Sequence, residues 1–244
     1  MAPVISINGF SYRYPDGTDG LYDISLDIAG GEKIALIGPN GSGKSTLLLA
    51  MGAFLHGHGS IVVDGVEANK KNAKQIRRAV GSVLQNPDEQ LFMPTLLEDV
   101  AFGPLNMGLG DEEVLRRSMD ALGIVGLDGM KHKAPHHLSA GQKRSAAIAT
   151  ILSMNPKIIT MDEPDTSLDP RNRNNLTSLL KSLKQTLIIA TCNIPFAAAL
   201  CKRAVLIDSG KIIADGPVEE IITDEKLMQS HGLETAAIPE SIDF

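Results

Sequence analysis

Cysteine is scarce in this 244-residue chain, where Cys192 and Cys201 are the only two. They cannot build a disulfide framework and show no zinc-type spacing, so neither staples nor a structural metal is expected to hold the fold. Excess positive charge is also lacking. Lys and Arg number 23 against 29 Asp and Glu, a formal net charge of −6, which argues against nucleic-acid backbones or anionic lipid as the main partner. No apolar run approaches the ~18 residues of a membrane span. The start, Met1-Ala2-Pro3-Val4-Ile5, has neither the basic nor the apolar region of a signal peptide, so the chain is expected to stay in the cytosol. Internal repeats and low-complexity tracts are missing as well. What is present suits a folded globular protein: 43% apolar and 21% charged residues. At roughly 150 residues per domain, the length fits one large domain or one core with an inserted subdomain.

Four short runs rich in Val, Ile and Leu, at 33–37, 80–84, 157–161 and 186–191, read as strands buried on both faces. Polar or Gly-rich residues and then helical patterning follow each. The pattern predicts an α/β fold, a mainly parallel sheet flanked by helices, with ligands bound beyond the carboxyl ends of the strands. Before it, 4–14 and 21–28 alternate apolar and polar residues around Pro15-Asp16-Gly17, which predicts an antiparallel β layer. Between Asn86 and Asn155, helical patterns at 111–122 and 142–154 are separated by breaks at Pro94, Pro104 and Gly108, as an inserted helical subdomain would be. Residues 204–207 and 211–214 flank Asp208-Ser209-Gly210, which reads as a three-residue hairpin loop. The expected division is a nucleotide-binding α/β core with its β layer over 1–85 and 156–215, a helical subdomain over 86–155, and a tail of mixed character over 216–244.

Gly38-Pro39-Asn40-Gly41-Ser42-Gly43-Lys44-Ser45 fits the Gly-x4-Gly-Lys-Ser/Thr phosphate loop and lies between a buried-strand pattern and a helical run from Thr46. The glycines let several amide N–H groups point at one phosphate, and the positive end of the following helix adds to the field. Lys44 is expected to reach the β- and γ-phosphates and Ser45 to ligate magnesium. Asp162 ends a buried strand. Burying an acid costs several kcal/mol unless a cation or donors satisfy it, so this carboxylate is expected to hold the metal through water. Glu163, one residue on, is placed to polarise a water for in-line attack on the γ-phosphate. Leu138-Ser139-Ala140-Gly141-Gln142 precedes a helix with one apolar side; Ser139 reads equally as an N-cap or as a phosphate contact.

In this order, the phosphate loop, the 138–142 segment and Asp162-Glu163-Pro164 resemble the nucleotide-binding subunits of ATP-binding-cassette (ABC) transporters, from Val4 to about Gly216. The resemblance implies a P-loop NTPase of the ABC ATPase type that uses ATP and Mg2+. It also implies a head-to-tail dimer in which each ATP lies between one subunit's loop, residues 38–46, and the other's signature segment, Ser139, Ala140, Gly141 and Gln142. Tyr14 matches the aromatic that stacks on adenine, although an aromatic at a hairpin also serves plain packing. Gln85 matches the glutamine that links metal and attacking water to the helical subdomain. Asp169, in Ser167-Leu168-Asp169, matches the residue that touches the partner's phosphate loop; an ordinary turn before Pro170 would look the same. Gln85-Asn86-Pro87-Asp88-Glu89-Gln90-Leu91-Phe92 and Glu98-Asp99-Val100-Ala101-Phe102-Gly103-Pro104 resemble more closely the ATPases of energy-coupling-factor importers, the branch taking up cobalt, nickel or vitamins. That branch implies a second ATPase subunit of the same or a different chain, transmembrane coupling and substrate-binding partners, and a position on the cytoplasmic face of the membrane. No nucleic acid is expected. A non-transport cassette ATPase and a module that uses ATP only to dimerise are the alternatives.

Two departures from the family pattern matter. Ala140 stands where the signature usually has glycine, a small change that still permits a helix start. More seriously, Thr191-Cys192-Asn193 replaces the histidine that normally bonds the γ-phosphate. A thiol is a weak donor, so slow hydrolysis, or work beside a more complete site, is expected unless water or the Asn193 amide supplies the contact. Three other features invite over-reading. His56, His58, His132, His136 and His137 lack nearby ligand-spaced acids or cysteines and read as solvated loop residues. Lys70, Lys71, Lys74, Arg77 and Arg78 read as a solvated helix face. Phe92, Met93 and Leu96 suit either a groove for a membrane partner's helix or core packing.

Overall fold

Strands β1 (Ile5–Arg13) and β2 (Asp19–Ile28) alternate buried and exposed residues and pair antiparallel, Ile5 opposite Ile28. With β4 (His58–Val63) and β5 (Val66–Glu67) they form a four-stranded sheet in the order β2-β1-β4-β5. Its inward residues, Ile7, Phe10 and Ile24 among them, pack in one apolar cluster with Leu47 and Met51 of α1 (Lys44–Met51). A period of two, with one face on the core, is what an antiparallel layer requires. These features belong to a computed structural model that describes residues 2–235; Met1 and 236–244, the last part of the expected tail, lie outside the described residues.

The four apolar runs become the interior of a second, six-stranded sheet. They are β3 (Lys33–Ile37), β6 (Val80–Val83), β7 (Ile158–Asp162) and β8 (Thr186–Ala190), joined by β9 (Arg203–Asp208) and β10 (Lys211–Pro217) in the order β10-β9-β3-β8-β7-β6. All neighbours are parallel except β9 and β10. Every residue of β8 is buried, because both faces are covered. One face meets α1, α2 (Ala73–Ala79) and the antiparallel layer; α5 (Ala140–Leu152), α6 (Pro170–Ser182) and α7 (Ile194–Leu200) cover the other. The register aligns Leu36 with Ala190 and Ala190 with Asp162, with Val83 beside Met161. The parallel strands therefore deliver their following loops to one edge, where ligands of open α/β sheets bind.

The insertion contains α3 (Leu96–Asn106), α4 (Asp111–Ile124) and α5. The break expected at Pro104 is corrected: α3 runs through it. Proline removes the N–H that would bond the carbonyl of Val100. The buried Ser153, just after α5, replaces it, its Oγ donating to Val100 O at 2.7 Å. Ser153→Ala would leave that carbonyl unpaired. The expected loss is about 1–2 kcal/mol, read as a fall in melting temperature of several degrees, at about 2–4 °C per kcal/mol for a chain of this size. No helix among the described residues is long and apolar enough to cross a membrane.

Two further corrections concern turns and surface. Asp208 pairs with Lys211, so the hairpin loop is two residues, Ser209 and Gly210, with φ of 48° and 73°. That is the primed turn whose twist matches its strands. The tail beyond β10 forms α8 (Val218–Thr223) and α9 (Glu225–Ser230), with Ile222 and Met228 in the core. After them His231 Nδ1 meets Asp208 Oδ2 at 2.7 Å. The basic stretch is only partly a solvated face: the guanidinium of Arg77 lies 4.2 Å over the Phe54 ring and donates to Ala53 O, and Arg78 donates to Met107 O. Leu96 is core, whereas Phe92 is 61% exposed and meets Phe102 edge-on at 5.0 Å.

Candidate active site

The phosphate loop leaves β3 and ends in α1. Gly43 holds φ 108°, and a Cβ there would sit 2.8 Å from the carbonyl of Gly20, so glycine is required by conformation and by space. The hairpin turn braces the loop from behind, Gly210 N donating to Ser42 O at 2.9 Å. Lys44 is 5% exposed; its ammonium donates to the carbonyls of Gly38 at 2.8 Å and Pro39 at 3.0 Å. The Ser42 hydroxyl is buried with no hydrogen-bond partner among the described residues.

Residues 40–46 line a cavity of about 280 Å³ together with Tyr14, Thr18, Asp19, Gly20, Gln85, Asp162 and Glu163. The structure thus brings Tyr14, Asn40, Gly41, Ser42, Gly43, Lys44, Ser45, Thr46, Gln85 and the carboxylate pair to one place. The loop's curl of amides beside an orphaned hydroxyl and a lysine fits a polyphosphate. Ser45, Gln85 and Asp162 offer hydroxyl, amide and carboxylate oxygens, the hard donor set that Mg2+ takes. The Tyr14 hydroxyl shares a 2.8 Å hydrogen bond with Thr46 Oγ1, while its ring stands edge-on to Tyr12. Glu163 sits in the left-handed region, φ 46°, with its N–H on Ala190 O. Its Oε2 accepts from the backbone N–H of Cys192 at 3.2 Å.

Cys192 points at the loop. Its Sγ lies 3.5 Å from Lys44 Nζ and from Gly38 O, and 3.3 Å from Asn40 Oδ1. Burial, and then the Glu163 carboxylate, hold the thiol above its ordinary pKa, against the pull of Lys44. Asn193 turns away. Its Nδ2 donates to Asp165 Oδ2 at 2.7 Å, and its Oδ1 accepts from Phe196 N to cap α7. The idea that Asn193 supplies the missing donor is therefore corrected.

The signature segment lies elsewhere in the chain. Ser139 caps α5, its Oγ accepting from Gln142 N while Gln142 Oε1 accepts from Ser139 N. Gly141 and Gln142 line a cleft between α4, α5 and α6, and none of residues 139–142 lines the phosphate-loop cavity. Asp169 caps α6 through Asn172 N and takes a second bond from Asn172 Nδ2. A Cβ on Gly141 would meet the Asn172 side-chain amide at 2.7 Å, so a larger residue here would require the Asn172 side chain to shift. Sequence reasoning missed Arg144, which is 4% exposed and donates to Leu84 O and Gln85 O, tying α5 to the start of the Gln85 loop. Burial lowers its pKa, and Asp165 opposes the shift. Its spacing with Ile148 and Ile151, on the buried side of one helix, was the available signal.

A phosphate loop at the end of a buried parallel strand, with a carboxylate closing a strand of the same sheet, defines a P-loop nucleoside triphosphatase. The chain belongs to the ABC transporter family, whose model matches residues 21–166. It is 44% identical over 239 residues to the energy-coupling factor transporter ATP-binding protein EcfA of Methanosphaera stadtmanae, spanning 96% of this chain and 86% of that one. Among solved structures, cbiO1 from Clostridium perfringens, described as part of the ABC transporter complex cbiONQ, is 34% identical with a TM-score of 0.84 over 94% of each chain. The ATP-binding cassette MJ0796, solved as a dimer in a post-hydrolysis state with ADP and Pi, is 28% identical with a TM-score of 0.78, covering 88% of this chain and 98% of that one. The chain is an ATP-binding, ATP-hydrolysing subunit of this family.

Proposed function

We propose that the chain powers an importer of the energy-coupling-factor type, for cobalt, nickel or a vitamin, by closing and reopening a dimer around ATP. The convergence of the phosphate loop, Gln85, Asp162 and Glu163 on one cavity carries this reading. Likeness to EcfA and to cbiO1 supports the branch. Residues 38–46 grip the triphosphate and Tyr14 stacks on the base. Ser45, Gln85 and Asp162 hold Mg2+, which supplies charge neutralisation at the phosphate oxygens. Glu163 takes the proton of the attacking water as the bond to the leaving phosphate oxygen breaks. Ser139, Ala140, Gly141 and Gln142 meet the γ-phosphate held by a second subunit, whose loop Asp169 touches. The functional division is a core with its β layer over 1–85 and 156–215, a helical subdomain over 86–155 and a tail over 216–244. Exposed Phe92, Phe102 and Leu105 on the helical subdomain would face a transmembrane partner on the cytoplasmic side of the membrane.

The site is proposed to turn over slowly because Cys192 stands at the γ-phosphate end of the loop. Cys192→His places a stronger donor on a position whose side chain already reaches Lys44. One extra donor to the transferring phosphate is worth roughly tenfold or more, so steady-state ATPase of the purified chain should rise by about that factor. The same assay, run with and without co-purifying membrane partners, tests the transport reading. Stimulation by a membrane complex supports it; activity that only nucleic acid or ribosomes raise points to a non-transport cassette.

A further inference from the structure

Three residues after Asp162, Asp165 is a carboxylate in the interior, 4% exposed. A charge there is costly unless donors satisfy it. The donors come from the loop after β8, the parallel neighbour of β7. Thr191 Oγ1 donates to Asp165 Oδ1 at 2.9 Å, and Asn193 Nδ2 donates to Oδ2 at 2.7 Å. Arg173 on α6 adds its charge, with Nε 3.8 Å from Oδ2. Thr191 Oγ1 also accepts from Asn193 N at 3.0 Å, so residues 191 and 193 are tied to each other as well as to Asp165. Between these two anchors lies Cys192, whose N–H reaches Glu163 Oε2. Glu163 holds a left-handed φ, a conformation that persists in a non-glycine residue only where its surroundings over-determine it.

We propose that Asp165 is a positioning residue for ATP hydrolysis: by gripping Thr191 and Asn193 it fixes the Cys192 peptide, whose N–H then holds the Glu163 carboxylate in its working place. The proposal rests on the reading of Glu163 as the base. It gives the loop after β8 a backbone function that does not depend on which side chain occupies position 192. It also explains why Asn193 faces inward: its amide serves the clamp.

The clamp is tested on the full chain with Thr191→Val, Asn193→Asp and the exchange Asp165→Asn/Asn193→Asp, with Glu163→Gln as the reference. Thr191→Val removes one donor without a change of charge. Asn193→Asp sets two carboxylates against each other. The exchange restores one amide–carboxylate pair with the roles reversed. For each single variant kcat should fall at least about tenfold, as expected when a general base worth roughly 10²-fold or more loses its alignment, while KM for ATP stays within about twofold. The exchange should recover most of kcat. Unchanged kcat in both single variants, alongside an inactive Glu163→Gln, overturns the clamp alone. A fall in kcat matched by a proportional rise in KM and a lower melting temperature also overturns it, since that marks a merely structural residue. Normal turnover by Glu163→Gln overturns the base assignment and, with it, the purpose of the clamp.

Discussion

Lys44→Ala is expected to abolish ATP binding at concentrations that saturate the parent chain. Among the described residues, Lys44 is the only Lys or Arg lining the phosphate-loop cavity, which Asp19, Asp162 and Glu163 also line. Without its ammonium, a polyphosphate would meet loop amides, hydroxyls and carboxylates with no side-chain cation from the lining residues described. Affinity should fall on the order of 100-fold or more, about 2.8 kcal/mol at 1.4 kcal/mol per decade. Calorimetric titration with ATP and Mg2+ measures this directly. The substitution also releases the carbonyls of Gly38 and Pro39, so a parallel melting curve separates a lost ligand contact from a lost fold. Retained affinity in a folded Lys44→Ala would refute the assignment of the loop.

Glu163→Gln should separate binding from hydrolysis. The amide keeps the shape of the side chain and an oxygen for the Cys192 N–H, so the left-handed turn at Glu163 should survive. It cannot take a proton from water. Removing a general base costs roughly 10²- to 10⁴-fold in rate, with ATP affinity retained. On the proposed reading the variant therefore accumulates as an ATP-bound closed dimer, visible as a shift in elution volume on ATP addition. Normal steady-state turnover would show that another group activates the water.

The two substitutions test residues of different legibility. Lys44 is readable because all eight positions of its motif are contiguous and the strand before them is a solid apolar run; β3 ends at Ile37, where the pattern stops. Asp162 and Glu163 are readable for the same reason, as acids closing the buried strand β7. The Gly20 approach that demands glycine at position 43 is not readable, since it brings β2 of one sheet against the phosphate loop that follows a strand of the other. Nor is the role of Asp165. In sequence it is one more acid after a proline, and only its partners in the loop after β8 and on α6 distinguish it. Pro104 misleads for a related reason. Local rules end a helix at an interior proline, but a serine hydroxyl 53 positions away takes over the abandoned carbonyl.

The amino-acid sequence by itself determined which strands are buried, through their apolar patterning, and where the Gly-x4-Gly-Lys-Ser segment and the acids at the end of β7 stand, through contiguous residues; the order of these motifs carried the family resemblance. Only the tertiary structure decided that Asn193 faces Asp165, that Cys192 presents its N–H to Glu163, that Arg144 ties α5 to the Gln85 loop, and that the signature segment lies away from the phosphate loop of its own chain. Those outcomes depend on side-chain directions and on donors brought from distant strands and helices, and no local pattern encodes the direction in which a buried polar group finds its partner.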